Sequence, residues 1–222
     1  MEKLAYHNLF SNVKSDYITH TIMENKKLGG RKKTNTGFVK LFNGNLDGWK
    51  MIGNGSFVII FEDIDDQKQH SLLMTQGGMW LLWYYKKKFK DFILRLEWKV
   101  SHIEDNYGIF VRFSDPQGDP WNAVYSGYEI QIDDLALPNK ELVHKTGAIY
   151  GFMGPSKVAS KPEGYWNNLY VSVKGQTYSV IINDEKVIAG FQGNRSKKGY
   201  IGLQNHDDRS TVYFKNIFIK EI

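Results

Sequence analysis

Residues 92–100 read Phe-Ile-Leu-Arg-Leu-Glu-Trp-Lys-Val. Side chains of an extended chain point alternately to its two faces, so Phe92, Leu94, Leu96, Trp98 and Val100 form one apolar row, opposite Ile93, Arg95, Glu97 and Lys99. A period of two held over this length reads as a half-buried strand. The same texture recurs from Phe38 onward. Segments rich in Val, Ile, Phe and Tyr stand at Phe57–Phe61, Gly108–Phe113, Gly127–Asp133, Leu169–Lys174, Tyr178–Asn183, Tyr200–Asn205 and Thr211–Ile219, separated by Gly, Asn, Asp and Pro. Many short alternating strands predict an all-β sandwich. All five prolines (Pro116, Pro120, Pro138, Pro155 and Pro162) fall between these segments, where a missing N–H costs no ladder bond. Asn183-Asp184-Glu185 between two apolar runs predicts a hairpin turn, and no dozen-residue stretch after Phe38 reads as an amphipathic helix.

Composition narrows the function classes. A chain of 222 residues with 41% hydrophobic content has ample material for a core. The longest apolar run, Met79–Tyr85, is far below the roughly 20 residues that span a bilayer, and the first 30 residues hold no secretory h-region, as expected if the protein stays inside or has lost a leader. Zero cysteines exclude disulfides, thiol nucleophiles and thiolate metal sites. Net charge is +5, but residues 1–36 hold seven basic and three acidic side chains; with 29 basic and 24 acidic in all, the remainder carries 22 against 21. A basic N-terminal extension (1–36) on a balanced domain (37–222) reads as a solvated arm, so no nucleic-acid partner is expected. The six histidines show no metal-binding spacing, so zinc is not proposed. No cofactor is read from the sequence, and a divalent cation held by Asp, Glu and backbone oxygens of distant segments stays open.

Strand phase also nominates a site. If the segments 92–100, 108–113 and 127–133 are neighbours, as consecutive strands commonly are, their outward rows bring Glu97, Arg112, Glu129 and Gln131 onto one surface. Carboxylates, amides and a guanidinium can grip vicinal hydroxyls, although a solvated face laced with cross-strand ion pairs has the same pattern. Tyr200, Gln204 and His206 share an outward phase, and His206 stands before Asp207 and Asp208, where a polar turn is the alternative reading. Trp121 lies in the long polar loop Ser114–Ser126, a natural platform for a sugar ring. Trp80, Trp83, Tyr84 and Tyr85 make a second aromatic cluster, at least two of them expected in the core.

These segments also resemble a known family. Phe38–Trp49, with its Leu-Phe-Asn-Gly and Leu-Asp-Gly-Trp, is similar to the opening signature of the DUF1080 or 3-keto-disaccharide hydrolase domain family. Matches continue in order at Lys90–Trp98, Asn106–Arg112, Gly127–Asp133, Thr146–Tyr150, Lys161–Asn167, Gly202–His206 and Phe214–Ile217, with Tyr107 in place of the family's usual Ser and Lys215 in place of its Arg. The resemblance implies a concanavalin A-like jelly-roll sandwich of two curved antiparallel sheets with a carbohydrate groove. It also implies cleavage of 3-keto-glycosides, with β-elimination as the alternative to the two-carboxylate glycosidase route that Glu97 and Glu129 could serve. On that expectation Glu129 is the base, Arg112 the stabiliser of an enolate or of bound substrate, and His206 or Glu97 the acid. Lys161, Asn106, Tyr150, Gln131, Gln204 and Trp121 bind or orient the sugar. A lectin-like module that binds without cleaving, or a protein-interaction domain, would use the same fold.

Overall fold

The expected strand at 92–100 is realised as β6 (Phe92–Val100), at the heart of the larger of two sheets. The computed structural model describes residues 37–65 and 68–222; the basic extension expected over 1–36 lies outside them. The strands are β1 (Val39–Lys40), β2 (Trp49–Gly53), β3 (Ser56–Asp65), β4 (Lys68–Gln76), β5 (Trp80–Tyr84), β6, β7 (Tyr107–Phe113), β8 (Tyr128–Ile132), β9 (Asn167–Lys174), β10 (Thr177–Ile182), β11 (Glu185–Gln192), β12 (Tyr200–Asn205) and β13 (Val212–Glu221). One sheet runs β11-β10-β9-β6-β13-β4-β3, with β1 also on β13; the other runs β2-β5-β12-β7-β8. Every pairing is antiparallel. This is the concanavalin A-like sandwich that the sequence led us to expect.

The apolar rows meet between the sheets. Leu94, Leu96 and Trp98 of β6 join Ile109 and Val111 of β7, Tyr128 and Ile130 of β8, and Ile201 and Leu203 of β12 in one core. Each fully buried aliphatic side chain there contributes about 1.5–3 kcal/mol. Tyr107, where the family has Ser, points into this core; its hydroxyl meets Thr75 Oγ1 at 2.8 Å, and burial pushes its phenol well above the usual range. The hairpin at Asn183-Asp184 is a two-residue turn with φ of 47° and 68°, the pair of positive angles that matches strand twist and that Asn and Asp tolerate.

Two expectations are corrected. Consecutive β6 and β7 are not neighbours: the chain changes sheets at residues 101–106, through a turn that Asp105 locks by accepting from the N–H groups of Ser101 (2.7 Å), His102 (2.8 Å) and Thr211 (3.1 Å). Glu97 therefore faces outward from the larger sheet, accepting from Asn216 Nδ2 at 2.7 Å with Lys215 Nζ 3.9 Å away, and shares no surface with Glu129. The second correction is Arg112. A β-bulge places it at φ 56° and pairs Tyr200 with Phe113 but Ile201 with Val111, so the strand's phase slips by one residue. Phe113 takes the outward place and the Arg112 side chain, 1% exposed, turns inside. Its Nε donates to the Lys90 carbonyl at 2.7 Å and its guanidinium to the Gly175 carbonyl and to Asp91 Oδ1 (2.9 Å). Arg112 is thus buried as an internal brace rather than set on the outward row with Glu129.

Candidate active site

The outer face of the smaller sheet is divided by its sequence. Its lower part is greasy: Leu81, Trp83, Phe110 and Phe113 pack beneath α1 (Trp121–Ser126), whose Ala123 is buried among them. Trp121 thus stands on a short helix inside the expected loop. The upper part is polar and is set by register. Leu203 pairs with Ile109 and Gly108 with Gln131, so Gln204, Gly108 and Gln131 lie in one row across β12, β7 and β8. Asn106, 3.0 Å from Gln131, is next along the same face, and His206 follows the end of β12.

Glu129 organises this region. A Cβ built on Gly108 would lie 1.9 Å from Glu129 Oε1, so the carboxyl rests on the bare backbone of β7, a place only glycine leaves vacant. The Gln131 carboxamide lies between neighbours: one end is 3.2 Å from both Glu129 Oε1 and the Tyr107 carbonyl, the other 3.0 Å from Asn106 Oδ1. The end facing two acceptors is the amide nitrogen, which donates to Glu129. Burial pushes the carboxyl up to about 8, an acid poised near neutral pH.

Tyr150 is held beside it. Ile149 bridges Ile130, and the Tyr150 N–H donates to the Glu129 carbonyl at 3.0 Å, so Tyr150 and Glu129 form a cross-strand pair on one face, with Cβ atoms about 5 Å apart. Burial first, then the charges of Glu129 and Asp133, raise the Tyr150 phenol. The His144 ring lies tilted against Tyr150, with centroids 4.7 Å apart.

His206 closes the other side. Its Nδ1 lies 2.9 Å from Asp207 Oδ2, which fixes the ring with Nε2 on its opposite edge. Burial raises the Asp207 carboxyl, but donation from His206, Ser210 and Arg209 outweighs it and brings the group to about 2. Ser210 Oγ donates to Asp207 at 3.1 Å and accepts from the Asn106 N–H at 3.4 Å, which ties His206 to the Asn106–Gln131–Glu129 row.

Of the residues nominated from the sequence, Glu129, Gln131, Asn106, Gln204, Tyr150 and His206 come together here, with Trp121 at the margin. Glu97 and Arg112 lie elsewhere, and so does Lys161, whose Nζ donates to the Trp166 carbonyl at 3.0 Å beside a small cavity between the sheets. Sequence reasoning missed Gly108 and Asp207 as site components. The Gly in Asn-Tyr-Gly-Ile and the acid directly after His206 were the available signals. Among the described residues no group of three or more His, Asp or Glu side chains is arranged to hold a metal ion.

An antiparallel sandwich with a polar, partly buried cluster on one outer face is the architecture of carbohydrate-active and carbohydrate-binding domains. The chain belongs to the family described as the 3-keto-alpha-glucoside-1,2-lyase-like domain, whose model matches residues 37–220. It is 28% identical to a 3-keto-disaccharide hydrolase of Bacteroides thetaiotaomicron, over 61% of this chain and 60% of that protein's length. Among solved structures, a Parabacteroides distasonis protein assigned as a glycosyl hydrolase superposes with a TM-score of 0.68 at 23% identity, covering 88% of this chain and 98% of that one. A Bacillus subtilis protein with a galectin-like fold gives 0.52 at 13% identity, covering 79% and 90%. These likenesses bear on the fold. Among the described residues no helix is long and apolar enough to cross a membrane.

Proposed function

We propose that the protein cleaves 3-keto glycosides by β-elimination on the outer face of the smaller sheet. The ketone at C3 acidifies the C2 hydrogen. Ionised Glu129 takes that proton, and the electron pair of the C–H bond becomes the enolate of C2 and C3, whose oxygen accepts a hydrogen bond from the Tyr150 hydroxyl. The enolate then re-forms the ketone, a C1–C2 double bond forms and the C1–O bond breaks. The departing oxygen takes the Nε2 proton of the His206 imidazolium, whose Nδ1–H stays on Asp207. The products are an unsaturated 3-keto sugar and an alcohol, and later addition of water to the double bond gives the net result of hydrolysis. Gln131, Asn106 and Gln204 hold hydroxyls of the ring.

The observation that carries this reading is a raised carboxyl seated over Gly108, linked through Gln131, Asn106 and Ser210 to a histidine whose Nδ1 is fixed by Asp207. An ordinary glycosidase would need two carboxyl groups about 5–10 Å apart; Glu97, the expected partner, is on the other sheet. The test is mass spectrometry of wild type and Glu129→Gln incubated with 3-keto and ordinary disaccharides. Wild type is expected to release the unsaturated 3-keto product, or its hydrate, from the oxidised substrate alone, and the variant to bind without release. Binding of sugars by wild type with no new product would make the domain a lectin-like module instead.

A further inference from the structure

We propose that the end of the sandwich opposite the candidate site is a docking face for an anionic lipid bilayer. The chain between β5 and β6 reads Tyr85-Lys86-Lys87-Lys88-Phe89-Lys90, with all four lysines exposed and Phe89 buried. Phe89 fixes the run. Its N–H donates to the Gly199 carbonyl at 2.7 Å and its carbonyl accepts from the Gly199 N–H at 3.0 Å, which sets exposed Lys197 and Lys198 beside it. The Tyr85 N–H donates to the Gly48 carbonyl at 2.9 Å, and a Cβ on Gly48 would meet Lys86 Cδ at 3.0 Å, so Lys50 stands on the same rim. Arg112, bonded to the Lys90 and Gly175 carbonyls, brings Lys174 there as well. Residues 47–50, 85–91, 112–119, 174–176 and 193–199, together with Glu221, hold ten basic and five acidic side chains, whereas residues 37–222 as a whole hold 22 and 21. The balanced domain is therefore polarised: this end is positive and the remainder negative. Two of the five acids are already taken, Asp91 by Arg112 and Glu221 by Lys87. Among the described residues, Lys87 is the one lysine of this face that is ion-paired.

The shape of the charge argues for a plane of headgroups. Lys50, Lys86 and Lys198 stand at the ends of β2, β5 and β12, neighbours in the smaller sheet, while Lys90 and Lys174 stand at the ends of β6 and β9 in the larger one, about 10 Å behind it. A single polyanionic chain would follow one line of these charges; a bilayer surface meets both rows at once. The side chains also suit that layer. Lysine carries a mobile point charge on an apolar stem, and Lys50 Nζ and Lys88 Nζ lie 4.3 and 5.2 Å over the half-buried rings of Tyr85 and Tyr200, which pack on Trp83 at 6.3 and 4.7 Å. Tyrosine and lysine side by side are the residues of a membrane interface. Strand β12 runs from Tyr200 at this face to Asn205 beside the candidate site, about 17 Å away, so a docked domain keeps that site open to solvent. The face is independent of the chemistry proposed for the other end.

The test is co-sedimentation of the full chain with vesicles of phosphatidylcholine alone or mixed with phosphatidylglycerol, at low and high salt. Residues 1–36 add seven basic side chains of their own, so the decisive comparison is between two double variants of equal net charge whose circular dichroism matches wild type. One carries Lys86→Glu and Lys88→Glu on the face; the other carries Lys140→Glu and Lys157→Glu, on exposed loops at the far end. Wild type is expected to bind the anionic vesicles, to ignore the neutral ones and to be released by salt. The face pair is expected to weaken binding at least about tenfold, the scale of two lysines lost from a charged membrane surface, and the far pair to leave it within about threefold. Equal effects of the two pairs, large or small, overturn the face, and so does a wild type that binds no vesicle. Capture by soluble dextran sulfate that depends on Lys86 and Lys88, with no binding to vesicles, would make the partner a polyanionic chain and overturn the bilayer.

Discussion

Removing the Glu129 carboxyl should change how stability depends on pH. In the unfolded chain this group ionises near its ordinary 4.5; in the fold burial raises it to about 8. Between those values the native state holds a proton that the unfolded state has released, so stability falls as pH rises through the window and is flat above it. The interval is about 3.5 units, and at about 1.36 kcal/mol per unit the ceiling is near 5 kcal/mol. The Glu129 residue is not fully shielded from solvent and accepts one hydrogen bond from Gln131, so a loss on the order of 2–4 kcal/mol is expected on going from pH 5 to pH 9. Glu129→Gln keeps the shape and cannot ionise. Urea unfolding of both proteins at pH 5, 7 and 9 should therefore give curves that agree at pH 5 and diverge above it, the variant becoming the more stable. Parallel pH dependence of the two proteins would show that the carboxyl is solvated, and the reasoning about its poise would fall.

Two further substitutions separate support from chemistry. Arg112→Ala strips a buried guanidinium from the Lys90 and Gly175 carbonyls and from Asp91, and should cost about 3–5 kcal/mol in denaturant unfolding; a cost below about 1 kcal/mol would mean the brace is not made. Gly108→Ala puts a methyl group where the Glu129 carboxyl rests. It should leave the circular dichroism spectrum intact while lowering kcat/KM on a 3-keto disaccharide by at least about a hundredfold, the scale of losing a positioned catalytic base. Unchanged turnover would place the reacting carboxyl elsewhere.

The legibility of the sequence followed the regularity of its backbone. Alternation identified the inward rows of β6, β8 and β12 because those strands keep a period of two, and it put Glu129, Gln131, Gln204 and His206 on outward phases. It failed at Arg112 because one residue at φ 56° shifts the phase, and a sequence carries no mark of a bulge at an arginine. Glu97 was misplaced for a different reason. Phase says which face a residue takes but not which sheet its strand joins, and the sheet change at residues 101–106 depends on three N–H groups converging on Asp105. Strand β5 could be read only as an aromatic cluster or as a strand buried on both sides, because Leu81 and Trp83 face the aromatic cluster under α1 while Leu82 faces the main core; a strand buried on both faces does not alternate. Gly108 was readable only in retrospect, since its role is to make room for a side chain from the next strand.

The central claim is that Glu129 removes a proton from C2 of the sugar. Turnover of a 3-keto disaccharide bearing deuterium at C2 measures it directly: the account predicts a severalfold slower kcat/KM than for the protiated substrate and loss of the label to water. Equal rates for the two substrates, with the label retained in the product, would contradict it.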